Sequence, residues 1–252
     1  MTLSTTSVLS SGVVALALVA GCASNAPRVD APGTQARAVC PGGSVRSDRE
    51  LASLAGCRRI QGDLAVSGVT TLSPLASLEA VDGALTIRGS SVESLSGLER
   101  LRSTRGLALE ANPRLDDLSA LESLEATKSL SFVSNPRLSG PSGLSQLTEL
   151  DQLVVRDSAF LSLHGLEGLT RVDSLQIQNN PKLISLRALN GVRVSREVLL
   201  EGNPIVCGRL GVLTGLTLPP LQLVARNNFS LRAAELKHLR APDATPDGIA
   251  LR

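Results

Sequence analysis

The sequence predicts a right-handed solenoid of the α/β type, with about seven to eight coils of 21–23 residues. Three observations predict it. First, nearly the same phrase recurs: "LALEANPRLDD" from Leu107, "LSFVSNPRLSG" from Leu130, "LQIQNNPKLIS" from Leu175 and "VLLEGNPIVCG" from Val198. Second, the apolar-x-apolar pairs that open these phrases return at a nearly fixed period, the mark of stacked structural units. Third, leucine dominates the apolar residues, and the 252 residues hold no Trp, no Tyr and three Phe. A core filled by one repeated aliphatic shape suits stacked coils better than a globule of varied side chains.

Each coil is read outward from its pair. The first positions are Leu64, Leu85, Leu107, Leu130, Leu153, Leu175, Val198 and Leu221, separated by 21, 22, 23, 23, 22, 23 and 23 residues. Their partners are Val66, Ile87, Leu109, Phe132, Val155, Ile177, Leu200 and Leu223. Alternate strand residues face opposite sides, so both members of a pair point into one core. In one coil Leu130, Phe132 and Ser134 are read as the strand alternation. Five residues after the pair begins comes Asn112, Asn135, Asn180 or Asn203, with Ser90 and Ser158 in two other coils. Pro follows each of those Asn residues, and Pro neither donates a ladder hydrogen bond nor frees φ, so the chain turns a corner there. The Asn amide can bond backbone groups that the bend leaves unpaired. That structural role is preferred to a catalytic or glycan-bearing one, because no Asn-x-Ser/Thr falls in the column as aligned. Eight residues after the pair comes Leu72, Leu115, Leu138, Leu161, Leu183, Val206 or Phe229. Further leucines about three apart, such as Leu118, Leu121 and Leu124, suit 3₁₀ turns, where residues i and i+3 eclipse. This is the pattern of leucine-rich repeats. One coil cannot bury its own apolar face, so stacking supplies the stability.

The solenoid ends need caps. Upstream, "VCPGGSVRSDRELASLAGCRRIQGDL" reads as one, with Ser47 or Asp48 capping a short helix that carries Glu50, Leu51 and Leu54. Downstream, Ser230–Arg240 reads as a helix with Ser230 as its N-cap, followed by a loose tail. The expected organisation is a signal peptide over 1–21, a flexible tether over 22–38, the solenoid over 39–229, and a capping helix with tail over 230–252. As a random coil the tether spans about 20–25 Å, enough to hold a domain clear of a lipid surface.

The first 22 residues carry no charged side chain and an apolar core from Val13 to Ala20. That core is shorter than the roughly 20 apolar residues a bilayer span takes, and it reads as an export signal. Its end, Val19-Ala20-Gly21-Cys22, resembles the lipobox of bacterial lipoproteins. The resemblance implies cleavage before Cys22 and lipidation of its thiol and new amino group. An ordinary cleaved signal is the next reading and an uncleaved anchor the last. Ala23 is not the Asp that favours inner-membrane retention in those lipoproteins, so the outer membrane or cell surface is implied over the inner membrane. Three cysteines remain: Cys40, Cys57 and Cys207. An exported chain is expected to oxidise a pair of them, and Cys40 and Cys57 bracket a short segment just ahead of the repeats.

"VCPG" at Val39, then Cys57, then "RIQGDLAV" from Arg59 resembles the opening of receptor L domains, the ligand-binding solenoids of the insulin and epidermal growth factor receptors. That family opens with a disulfide-held helix and an Ile-x-Gly-x-Leu-x-Ile strand. Ile60, Gly62, Leu64 and Val66 match in order. The resemblance covers roughly Val39 to Arg226 and implies a Cys40–Cys57 disulfide and a ligand-binding role. In those receptors the last coil's Cys pairs into a following cysteine-rich module, which is absent here. Cys207 is therefore read as a buried thiol, with pairing between chains as the alternative.

The sequence points to no enzyme. It holds two histidines, His164 and His238, and no P-loop, Gly-x-Ser-x-Gly or Cys-x-x-Cys motif. His164 is expected as a half-buried spacer and His238 as solvated. Asp116-Asp117, the only adjacent acidic pair, is expected to be solvated, and no metal or cofactor is expected. The net charge of +2 and the lack of a basic stripe or stacking aromatics argue against nucleic acid. Binding remains. Two outward columns are expected on the strand face: Ala65, Thr86, Ala108, Ser131, Val154, Gln176 and Leu199, and beside it Ser67, Arg88, Glu110, Val133, Arg156, Gln178 and Glu201. Arg88, Glu110, Ser131, Val133, Arg156, Gln176, Gln178 and Glu201 are the candidate contacts for a protein or glycan ligand. The competing reading has Arg88 pair with Glu110 and Arg156 with Glu201 merely to solvate the sheet, in a passive envelope spacer. The membrane is the other expected partner, through the lipid on Cys22.

Overall fold

A computed structural model describes residues 38–205, residue 228, and the backbone of two further strands, Gln222–Arg226 and Ile249–Leu251. The signal peptide, Cys22, the tether up to residue 37, Cys207, His238 and the helix expected at Ser230–Arg240 lie outside the described residues.

Among the described residues the chain forms one parallel sheet of ten strands in sequence order. They are β1 (Val39–Val45), β2 (Arg59–Ser67), β3 (Ala80–Arg88), β4 (Ser103–Glu110), β5 (Ser129–Val133), β6 (Glu149–Arg156), β7 (Arg171–Gln178), β8 (Arg193–Glu201), β9 (Gln222–Arg226) and β10 (Ile249–Leu251). One short helix, α1 (Asp48–Leu51), follows β1. From β2 to β8 the register aligns Leu64, Leu85, Leu107, Leu130, Leu153, Leu175 and Val198, as the period requires. Val66, Ile87, Leu109, Phe132, Val155, Ile177 and Leu200 form the second inward column, and all of these side chains are buried.

The leucines three apart close the far side of each coil. Leu75 N donates to Leu72 O, Leu98 N to Leu95 O, Leu121 N to Leu118 O and Leu189 N to Leu186 O, all at 2.8–3.0 Å. These are the i→i+3 bonds of 3₁₀ turns, which bring every third side chain onto the core.

At the corner, every coil from β2 to β8 places one residue in the left-handed region just after its strand. Glycine takes this position at Gly68, Gly89 and Gly202, and Ala111, Ser134, Asp157 and Asn179 take it elsewhere, with φ between 51° and 64° throughout. Ser134 is thus a turn residue rather than the strand position its alternation suggested. After β2 the next residue is the apolar Val69, and from β3 on it belongs to a buried polar column. Asn112 Oδ1 accepts from Ser90 N at 3.0 Å, and Asn135 Oδ1 from Asn112 N at 3.1 Å. Asn180 Oδ1 accepts from Ser158 N, and Asn203 Oδ1 from Asn180 N, each at 3.1 Å. Each amide nitrogen donates to a strand carbonyl of the preceding coil: Asn112 to Ile87, Asn135 to Leu109, Asn180 to Val155 and Asn203 to Ile177, at 2.8–3.0 Å. The left-handed residues are themselves mostly exposed, but the column residues after them are buried, and this ladder pairs their backbone.

Four expectations need correction. The sheet begins a strand ahead of the first apolar pair, Leu64 and Val66: β1 lies parallel on β2, inside the segment read as a cap. Its sequence suits an exposed edge, since Pro41 lacks a donor and the register shifts between Pro41 and Gly43. At the other end Val198 pairs with Leu223, not Leu221. The same shift brings Asn228 into the ladder, where its Oδ1 accepts from Asn203 N at 3.1 Å and its Nδ2 donates to Leu200 O at 2.9 Å. Asn228-Phe229-Ser230 does bring an Asn-x-Ser into the column, but that amide nitrogen is already committed. Ile249–Leu251, read as loose tail, pairs parallel with β9. Finally, Leu161 is 49 % exposed, and Phe160 fills its core position. The Ser turns are one residue shorter than the Asn-Pro turns, so the buried residue arrives early, as Val92 does after Ser90. Phe160 packs against Phe132, with ring centroids 5.4 Å apart.

The upstream end matches its reading. Ser47 is the N-cap of α1, and its hydroxyl accepts from Glu50 N at 3.3 Å. Glu50 Oε2 accepts in return from Arg46 N at 2.7 Å, close to a capping box. Asp48 reaches out of the helix instead, to Thr70 N and the Thr70 hydroxyl, both at 2.8 Å. The Cys40–Cys57 disulfide, Cα–Cα 5.9 Å, ties β1 to the turn ahead of β2.

Candidate functional site: the strand face

Side chains adjacent to the inward pair point away from the core, so a parallel sheet in strict register arrays them in columns. Both columns read from the sequence form. Ala65, Thr86, Ala108, Ser131, Val154, Gln176 and Leu199 align across β2 to β8, as do Ser67, Arg88, Glu110, Val133, Arg156, Gln178 and Glu201. Arg88 and Glu110 pair at 3.8 Å. Arg156 and Glu201 lie two strands apart and do not meet. Gln178 stands between them, accepting from Arg156 Nε at 3.1 Å and donating to Glu201 Oε2 at 3.0 Å. Ser131 and Val133 sit half-buried on β5 with no polar side-chain partner among the described residues.

The strands also run further upstream than the inward leucines required, and this extension carries the concave part of the face. A groove of about 710 Å³ is lined by Arg105, Lys128, Ser129, Asp151, Gln152, Ser174, Gln176, Arg196 and Glu197. Ser129, Gln152, Ser174 and Glu197 precede the inward residue of β5, β6, β7 and β8, and Arg105, Lys128, Asp151 and Arg196 stand one position earlier. Of the candidate contacts read from the sequence, Gln176 alone lines this groove. The others on the Arg88 column lie four residues along the strands, about 13 Å away.

The groove's downstream end is internally satisfied. Glu197 Oε2 accepts from the Ser174 hydroxyl and from Gln176 Nε2, each at 3.3 Å. Asp173 accepts from the Ser195 hydroxyl at 2.6 Å, and Arg171 and Arg196 lie 3.0 and 3.7 Å from it. The Ser195 hydrogen bond, then Arg171 and Arg196, hold the Asp173 carboxyl below its ordinary value despite its partial burial. The upstream end differs. Lys128 Nζ stands 3.8 Å from Asp151 Oδ1, and Arg105 makes no ion pair among the described residues.

The remaining singled-out groups are not drawn together. His164 is exposed, its side chain 83 % accessible, rather than half-buried. Leu163 takes the core position beside it, and His164 Nδ1 contacts Glu167 Oε1 at 2.6 Å. Asp117 receives Ser119 N and its hydroxyl at 2.8 and 2.9 Å, starting a 3₁₀ turn. Among the described residues no three His, Cys, Asp or Glu side chains group as metal ligands.

Residues 56–143 match the family model of the receptor L domain. No curated protein matches the chain. The stretch matched runs from the turn ahead of β2 to the turns between β5 and β6. Together with the parallel coils and the Cys40–Cys57 disulfide, it gives the chain a receptor-L-domain-like solenoid. Such domains are a ligand-binding, non-enzymatic family.

Proposed function

We propose that this chain is a membrane-anchored lipoprotein that presents its strand face as a non-catalytic binding platform for a protein or glycan. The observation that carries the platform is the register. Seven consecutive strands repeat the same two outward columns, and beside them lies a polar groove across β4–β8. A pre-formed backbone array of this kind lowers the ordering cost of binding. The anchor rests on the sequence alone, on the lipobox-like Val19-Ala20-Gly21-Cys22 and the Pro- and small-residue-rich segment after it.

Metabolic palmitate labelling of the membrane fraction tests the anchor. Label on the wild type that vanishes in Cys22→Ala supports it, and an unlabelled chain released to the medium overturns it. The platform is tested by affinity capture with the wild type and with Arg88→Glu/Arg156→Glu. A partner retained by the first and lost by the second supports the face.

The alternative is a passive spacer of the cell envelope, and one observation favours it. Many exposed ion pairs join neighbouring coils, among them Arg58–Glu79, Arg59–Asp82, Arg102–Glu125 and Lys128–Asp151. They lace a rod together without offering a site. Capture of no partner by any part of the surface would favour this reading.

A further inference from the structure

We infer that the groove across β4–β8 takes an extended acidic oligosaccharide, its anionic group held by Arg105 and Lys128. This rests on the reading of the strand face as a binding surface and names the ligand for it.

Direction and spacing come first. The groove crosses the strands, so its polar side chains arrive one strand at a time, about 4.8 Å apart. Pyranose rings in an extended chain succeed one another at much the same distance, so one ring meets each strand. An extended peptide binds a sheet by adding to its edge, and it gains no such match when laid across five strands. The groove is also walled by hydroxyl, amide and charged groups, which suits neither an acyl chain nor an apolar helix.

Chemistry comes second. Ser129 and Gln152 each offer a donor and an acceptor, Gln176 keeps its carbonyl and a second amide proton, and the Ser174 oxygen can still accept, as a row of sugar hydroxyls demands. The chain has no Trp or Tyr, and Phe132 and Phe160 are sealed in the core. A neutral sugar would find no ring to stack on, so charge has to supply what stacking does not. The charge is placed asymmetrically. At the β7–β8 end the Glu197 and Asp173 carboxylates already receive their partners. At the β4–β5 end Arg105 on β4 and Lys128, just ahead of β5, are joined by the Lys128 N to Arg105 O bond at 2.9 Å, and Lys128 keeps one long contact, 3.8 Å to Asp151, which an incoming anion would have to outcompete. The Arg105 guanidinium lacks a carboxylate partner among the described residues, and its planar fork fits a carboxylate or sulfate.

Titration calorimetry on the full chain tests this with three probes of equal length: an oligogalacturonate, a heparin-derived sulfated oligosaccharide and a neutral chito-oligosaccharide. We expect one or both acidic probes to bind and the neutral one not to, and which acidic probe binds separates carboxylate from sulfate recognition. Added salt should weaken the binding. Arg105→Glu/Lys128→Glu should cut the affinity at least about tenfold, as losing a charge-assisted pair does. Gln176→Ala should cost less, and Glu122→Ala, on an exposed turn away from the strand face, should change nothing. All four side chains sit at the surface, and matching circular dichroism spectra check the fold. Equal binding of the neutral probe, no binding of either acidic one, or an affinity indifferent to Arg105 and Lys128 would overturn the inference. If a protein partner is then captured through the strand face, the platform reading stands and only the ligand assigned here falls.

Discussion

Replacing Asn135 with leucine removes the middle of the polar ladder while keeping the side chain's approximate volume. Asn135 is fully buried. Its Oδ1 accepts from Asn112 N at 3.1 Å, and its Nδ2 donates to Leu109 O at 2.8 Å. Leucine offers neither group, so one buried N–H and one buried C=O lose these partners. Each such orphan costs about 1–3 kcal/mol, or about 2–6 kcal/mol for the pair. Against a total stability of about 5–15 kcal/mol that is a large fraction. The chain has no Trp or Tyr, so urea unfolding is followed by far-ultraviolet circular dichroism rather than intrinsic tryptophan fluorescence. Asn135→Ser is the internal control. Ser90 and Ser158 hold the same ladder position naturally, so serine should retain part of the loss. A penalty below about 1 kcal/mol for Asn135→Leu would mean that water or relaxed backbone satisfies those groups, and the ladder would not be what holds the corners.

Three further outcomes follow from the same geometry. Ala111→Gly should raise the unfolding free energy by about 0.5–1 kcal/mol, read as a higher urea midpoint, because Ala111 sits at φ 51° where glycine serves in other coils and the left-handed penalty exceeds glycine's entropic cost; a fall in the midpoint would refute this. Phe160→Ala should cost about 3–5 kcal/mol while Leu161→Ala changes stability by less than about 0.5 kcal/mol, and the reverse order would restore the uniform eight-residue spacing. Asp173 carries a folded-state pKa below its ordinary 3.8, so its contribution is present above that value and is lost as the pH falls through and below it. Asp173→Asn should therefore flatten the acid side of the stability profile, and an unchanged acid limb would show that its hydrogen bonds add nothing.

What the sequence revealed was what the repeat enforces. The inward leucines, the 3₁₀ spacing and the Asn corners are each dictated by burial or by an unpaired backbone group, and burial repeats with the coil. The errors came where two patterns compete. "LPPLQLVA" offers Leu221-x-Leu223 and Leu223-x-Ala225 with the same alternation, and hydrophobicity alone prefers the first. The ladder decides instead, since only the second places Asn228 five residues on. Leu161 was misplaced because Ser-Ala-Phe turns the corner in one residue fewer than Asn-Pro-x-Leu. The groove stayed hidden for a different reason. Arg105, Lys128, Ser129 and Gln152 follow no column of residue type. Their neighbourhood depends on how far upstream each strand continues, which the inward pairs do not encode. The unmatched Ser131 and the Arg156–Gln178–Glu201 relay show the same limit, since a register identifies neighbours without fixing which rotamers meet.

If the strand face is the platform, partners meet this protein there. The direct measurement is site-specific photo-crosslinking in cells that make it, with benzoylphenylalanine placed singly at Ser131 and Gln152 on the sheet and at Arg100 and Glu122 on exposed turns. The account predicts adducts from the two sheet positions and none from the turn positions. Adducts from the turn side alone, or equally from all four, would contradict it and would turn the sheet back into a scaffold for a surface elsewhere.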